Sequence, residues 1–179
     1  MTMNPLTGPP IGAALAKRPI DPRRGIPIPF VNEMRDGGAD FAAVQADKVD
    51  ACARQRLCGS CGTPLDYWIA FLGGPRCAEQ RTYLDPAMHV DCALSSLTLC
   101  PHIRRQNHRR APQHRIGADV ITPDTMTEDK PAYWVMGICR DYETRIVAPG
   151  TDQTHVLFLP KPFKRLRTRA TTPTATSPK

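Results

Sequence analysis

Short apolar runs, separated by long polar or proline-rich stretches, set the pattern of this chain. Between 46 and 56, Val49, Cys52 and Ala53 recur at helical spacing and predict a short helix. The segment 65–72 is rich in apolar and aromatic side chains, and Gly73-Gly74-Pro75 breaks it before a second segment ending at Tyr83-Leu84, which reads as a hairpin. Asp85 then offers a helix cap, Pro86 suits a first helical position, and Pro101 supplies a stop, predicting a helix over 86–99. Three short strands are expected at 132–139, 143–148 and 154–159. Turns at Arg140-Asp141 and 149–153 would join them into a small antiparallel β-meander.

The rest of the chain carries no such periodicity. Residues 1–31 hold seven prolines and read as an extended arm, docking at 26–31, where Ile26, Ile28, Phe30 and Val31 alternate with proline. The span 103–131 reads as a long basic loop, and 168–179 as a low-complexity, disordered tail. With 179 residues, 19 of them proline and only 6% aromatic, the chain has the length of one domain but modest material for an apolar core. No run approaches the roughly 18 apolar residues of a membrane span. The short apolar run 11–16 is followed by Lys17-Arg18 and is too brief for a signal core, so the expected location is cytoplasmic.

Charge sharpens this picture because it is uneven. The formal net charge is +7, yet 102–115 alone holds five Arg, three His and no acid. Residues 160–179 add Lys161, Lys164, Arg165, Arg167, Arg169 and Lys179, again without an acid. Outside these strips thirteen basic residues face seventeen acidic ones, so a slightly acidic body carries two basic strips. Such strips attract phosphate backbones or anionic surfaces without reading sequence; the plainer alternative is a solvated loop and tail.

Seven cysteines do not pair off completely, which favours metal binding or free thiols. Cys58-Gly-Ser-Cys61-Gly62 is a CxxC followed by glycine, a spacing that lets two thiolates grip one ion from a tight turn. After 27 residues His89-Val-Asp-Cys92 offers two more ligands, which a helix over 86–99 would present from one face at i and i+3. Cys58, Cys61, His89 and Cys92 are therefore the predicted ligands of one structural Zn²⁺. A CxxC knuckle, a hairpin and a helix bearing ligands near its start resemble a treble-clef zinc finger over about 57–100. Two buried cysteines with a surface histidine, or a redox CxxC, are the competing readings; no βαβ pattern accompanies the latter. Cys77, Cys100 and His102 raise the question of a second metal, whereas Cys52 and Cys139 sit on patterned elements as core residues. The expected organisation is thus α+β: the arm 1–31, a zinc-binding treble-clef-like region with a basic loop at 32–131, a β-meander at 132–167 and the tail.

A wider resemblance rests on Gly25-Ile-Pro-Ile-Pro-Phe30, Asp40-Phe41, Leu57-Cys-Gly-Ser-Cys-Gly62 and Phe71-Leu-Gly-Gly-Pro75, followed by Cys77, Asp85-Pro-Ala-Met-His-Val-Asp-Cys-Ala93 and Cys100-Pro101. In that order they resemble a family of uncharacterised small zinc-binding proteins of bacteria and their phages. The likeness runs over about 24–170 and is densest at 57–101. Members usually have a second proline where this chain has Ala87, and some replace the histidine-side pattern with further cysteines. Many end in a strand pair and a basic segment like Arg169-Ala-Thr171. The resemblance implies a zinc site and no catalytic activity.

Three function classes follow. The first is a non-enzymatic, zinc-stabilised binding or regulatory module, contacting nucleic acid through Arg104, Arg105, Arg109, Arg110, Lys164, Arg165 and Arg167. Its contacts should be weakly sequence-specific, since 86–99 carries no Arg, Lys, Asn or Gln to read base edges, and only Phe163 lies among the basic residues as a stacking group. The second is a phage or bacterial accessory protein that works through protein partners, using the arm or a sheet edge. The third, a His-Asn-His-type nuclease, has His102, Asn107 and His108 as suggestive letters but no histidine at 65–75 to act as base. Signatures of other enzymes (GxSxG, GxGxxG, the Walker loop, HExxH) are missing, and Cys77 between Arg76 and Arg81 has no positioned histidine.

Overall fold

The structure, a computed structural model, describes residues 11–34, 36–41, 43–104, 131–147 and 155–170. Two 3₁₀ turns at Leu15–Lys17 and Phe30–Asn32 precede helix α1, Ala46–Gln55. Strand β1 (Ile69–Gly73), helix α2 (Pro75–Gln80), strand β2 (Met88–His89), helix α3 (Val90–Leu99) and the single turn α4 (Pro101–Arg104) follow. Four strands complete the described chain: β3 (Tyr133–Cys139), β4 (Tyr142–Val147), β5 (His155–Pro160) and β6 (Arg165–Ala170). The fold is α+β with antiparallel pairing throughout. No helix among the described residues is long and apolar enough to cross a membrane.

A four-stranded sheet in the order β2-β1-β3-β6 forms the centre, and β4-β5 is a separate hairpin. Register assigns the faces. Ala70 opposes Ile138 and Leu72 opposes Met136, so these four point to one side together with Trp134. On that side they pack with Leu15, Cys58, Cys61, Cys92, Ala93 and Leu97. Ile69, Phe71 and Cys139 point the other way, into Val49, Cys52, Cys77, Tyr83, Tyr142 and Phe158. Every residue of β1 is buried because both faces are covered, which is why its sequence is an unbroken apolar run rather than an alternation. Rings dominate the second core: Phe71 lies 5.0 Å from Tyr83 and 5.7 Å from Tyr142, and Tyr142 lies 5.6 Å from Phe158, centroid to centroid. Phe163 lies so close over β3 that a side-chain carbon on Gly137 would come within 2.5 Å of its ring.

Several expectations need correction. The meander does not form. The three predicted segments are strands, but β3 pairs with β1 and β6, and only β4 and β5 pair as neighbours in sequence. With both its faces apolar, β3 gains more burial between β1 and β6 than beside β4, whose side chains are mostly exposed. The second strand expected after Gly73 is the helix α2, started by Pro75 at its first position and ended by Arg81 in the left-handed region at φ 48°. The predicted helix start at 86 is also wrong. Met88 and His89 are extended and pair with Ala70 and Ile69, and α3 begins at Val90.

The tail boundary also moves, since Thr168, Arg169 and Ala170 belong to β6; 171–179 lie outside the described residues. The arm docks earlier than 26. Leu15 is buried among the α3 residues, and the Gly12 amide donates to Ser95 Oγ at 3.0 Å. The docking expected at 26–31 is present, with Ile28 and Val31 buried. Arg18 then reaches Glu33 at 2.5 Å, and Lys48 of α1 meets the same carboxylate at 3.2 Å, fastening the arm to α1.

Candidate metal centre

The knuckle 57–64 is built by its backbone. A bridge joins Leu57 to Pro64, the Cys58 amide donates to the Thr63 carbonyl at 2.8 Å, and the Gly62 amide donates to the Cys58 carbonyl at 2.8 Å. Gly62 sits at φ +78°, and a Cβ there would also lie 2.7 Å from the Phe30 ring, so glycine is required twice over. The arm closes the knuckle from outside, with the amides of Phe30 and Val31 donating to the carbonyls of Ser60 and Gly59. From inside, the Gly59 amide donates to the Ala87 carbonyl at 2.9 Å, which ties the knuckle to the segment that brings His89.

Cys58, Cys61, His89 and Cys92 come together there, all buried, with their ligand atoms within 4.8 Å of one another. His89 ends β2 and stands just before α3, and Cys92 lies in the first turn of α3, so the pair is presented by a strand end and a helix start rather than by one helical face. His89 Nδ1 lies 3.3 Å from Cys61 Sγ and 3.9 Å from Cys92 Sγ. Around a tetrahedral ion with Zn–S near 2.3 Å and Zn–N near 2.05 Å, the S–N edge would be about 3.6 Å and the S–S edge about 3.8 Å. The two S–N spacings lie within about 0.3 Å of that edge, and the donor set as a whole is compatible with one tetrahedral ion.

The surrounding groups orient the ligands. His89 Nε2 lies 2.9 Å from the Pro64 carbonyl, an acceptor only, so Nε2 carries a proton and Nδ1 is the nitrogen that faces the sulfurs. Asp66 stands 3.8 Å from the same nitrogen. The His89 amide donates to Cys58 Sγ at 3.4 Å, and Thr63 Oγ1 sits 3.1 Å from Cys61 Sγ. The crowded groups share their protons unequally. Hydrogen bonds from Cys61 and then Cys92 hold the Cys58 thiol far below the usual range. Hydrogen bonds to Cys58 and then Cys61, with burial behind them, push Cys92 far upward, and a hydrogen bond to Cys58 raises His89 to about 10 against the opposing effect of burial. Three adjacent thiolates would repel one another strongly, and a divalent cation bound among them would relieve that repulsion.

None of the seven cysteines forms a disulfide. Among the described residues, this is the one cluster of metal-ligating side chains. Cys77, Cys100 and His102 are not brought together. Cys77 is buried in the aromatic core, Cys100 packs against the opposite core, and the His102 ring lies 5.7 Å from Trp134. Cys52 and Cys139 are fully buried core residues as expected.

The predicted nucleic-acid contacts divide in two. Arg104 closes α4 with its side chain outside the described residues, as are Arg105, Arg109 and Arg110 altogether. Lys164, Arg165 and Arg167 are exposed on and beside β6 and line a groove of about 650 Å³. Sequence reasoning missed Tyr67 and Trp68 on the same groove. The available signal was two large aromatic residues just before a strand that is already buried on both faces. No family model, curated protein or solved structure matches this chain.

Proposed function

We propose that the chain is a non-enzymatic binding or regulatory module whose scaffold is held by one structural Zn²⁺ at Cys58, Cys61, His89 and Cys92. The observation that carries this reading is the closure of the donor set. All four ligating residues are buried, the second histidine nitrogen is engaged by the Pro64 carbonyl, and four donors fill tetrahedral coordination without a position for water. A catalytic zinc needs that open position. The order knuckle, paired strands β1 and β2, then a helix with a ligand in its first turn supports a treble-clef-like unit.

The nucleic-acid role is supported by charge. The body is slightly acidic, whereas Lys164, Arg165 and Arg167 stand exposed along an edge strand. A protein-interaction role is favoured by Ile146, 69% exposed on the β4-β5 hairpin. The nuclease reading has little behind it, since the described ring among its candidate residues, His102, packs on Trp134.

The test is elemental analysis of protein purified without added metal, which should give about one zinc per chain. His89→Ala should then lose zinc and cooperative unfolding together. A variant that keeps both would overturn the structural-zinc reading.

A further inference from the structure

The groove along β6 has a composition that the sequence keeps out of sight. Its floor is Ile138, one wall carries Tyr67 and Trp68, and the other carries Lys164, Arg165 and Arg167. Tyr67 is 62% exposed and Trp68 40%, with their rings edge-to-face at 5.3 Å. The Arg140 guanidinium lies 5.0 Å from the Tyr67 ring and 5.1 Å from the Trp68 ring, adding a cation to the aromatic wall. Arg165 and Arg167 oppose Ile138 and Met136, so both leave β6 on the face that α3 covers, about 7 Å apart along the strand. No ion pair among the described residues engages Lys164, Arg165 or Arg167. A second depression of about 280 Å³ shares Lys164 and continues past Arg140, Lys161 and Pro162. The two together form a track rather than a closed pocket.

We infer that this track binds single-stranded nucleic acid, with bases against Tyr67 and Trp68 and phosphates on Lys164, Arg165 and Arg167. The inference deepens the proposed function and rests on its nucleic-acid reading. Exposed rings beside a row of cations match a chain that presents both unstacked bases and a phosphate backbone. A duplex keeps its base faces stacked and would leave both rings unused. Asp66 and Asp91 also border the groove, at the end beside His89 and Cys92, so the cationic β6 side is where the backbone must run. An acidic peptide such as polyglutamate would satisfy the cations but brings no aromatic rings to stack on the aromatic wall.

The experiment uses the full zinc-loaded chain and a fluorescein-labelled oligothymidine, with a duplex of equal length and polyglutamate as comparators. Anisotropy is read at low and moderate salt. Single strands should bind best, with Trp68 fluorescence quenched. Tyr67→Ala/Trp68→Ala should weaken single-strand binding about tenfold or more. Arg165→Ala/Arg167→Ala should reduce the slope of log affinity against log salt by about 1.4. Trp68→Phe should keep binding and lose the quenching, and unchanged zinc content in each variant certifies the fold. Binding that ignores these substitutions but disappears when Arg104, Arg105, Arg109 and Arg110 are changed to Ala overturns the groove and leaves the proposed function standing. Preference for the duplex or for polyglutamate overturns the single-strand assignment, and no binding to any nucleic acid overturns it together with the nucleic-acid reading.

Discussion

Six of the seven cysteines divide between the two cores that flank the central sheet, and the two triplets behave as opposites. On the α3 side, Cys58, Cys61 and Cys92 converge with His89, and one thiol is held as an anion. On the α1 side, Cys52, Cys77 and Cys139 are spread among rings. Burial pushes Cys52 up to about 12 and Cys139 to about 11, so both remain protonated and act as small apolar groups. Burial is equally deep in both triplets. What separates them is convergence: a buried thiol becomes a ligand only where other donors and an oriented imidazole face it.

The sharpest break in this contrast comes from exchanging one thiol on each side. Cys58→Ser should abolish zinc binding and cooperative unfolding, since a structural zinc site contributes about 10–16 kcal/mol, as much as or more than the roughly 5–15 kcal/mol by which domains are stable. Cys52→Ala should keep full zinc content and cost only about 1 kcal/mol in urea unfolding, the loss of one small group from a packed core. Equal zinc loss in both would erase the division. A second test strikes the aromatic side. Phe158 is fully buried, and Phe158→Ala should cost about 3–5 kcal/mol with zinc stoichiometry unchanged.

The smallest effect concerns the arm that spans both cores. Its Leu15 joins the α3 side and its Val31 the α1 side, and Glu33 fastens it to Arg18 and Lys48. The hydrogen bond from Arg18 holds the Glu33 carboxyl below its usual value. The folded chain therefore takes up this proton less readily than the unfolded one. The stabilisation is present above the ordinary carboxylate range and is lost as pH falls through the lowered value. Glu33→Gln should lower the free energy of urea unfolding slightly at pH 6, by under about 1 kcal/mol, and the gap should close in acid. A gap that widens in acid would contradict the Arg18 contact.

Legibility in the sequence followed distance along the chain. α1 lies within the predicted 46–56, and β3, β4 and β5 lie within a residue of their predicted spans, because periodicity is a property of neighbours. α2 was hidden by the habit of reading Gly-Gly-Pro as a turn, although Pro75 at a first helical position is the stronger cue. β6 was hidden by its own composition, since Arg-Leu-Arg-Thr-Arg-Ala looks like a solvated tail until its role as a sheet edge is known. The two ligand pairs were readable while the elements presenting one of them were not. Spacing names His89 and Cys92, but pairing with β1 holds His89 extended.

By itself the sequence determined the four candidate metal ligands that the fold brings together, the uneven charge and the positions of most regular elements, all of which are written in short-range spacing and composition. Only the tertiary structure decided which strands pair, which cysteines share a core, and that Tyr67 and Trp68 would face Lys164, Arg165 and Arg167 across one groove. Those choices depend on which faces can be buried together, and β1 pairs with β3, 62–70 residues further along the chain, where both faces of β1 are covered.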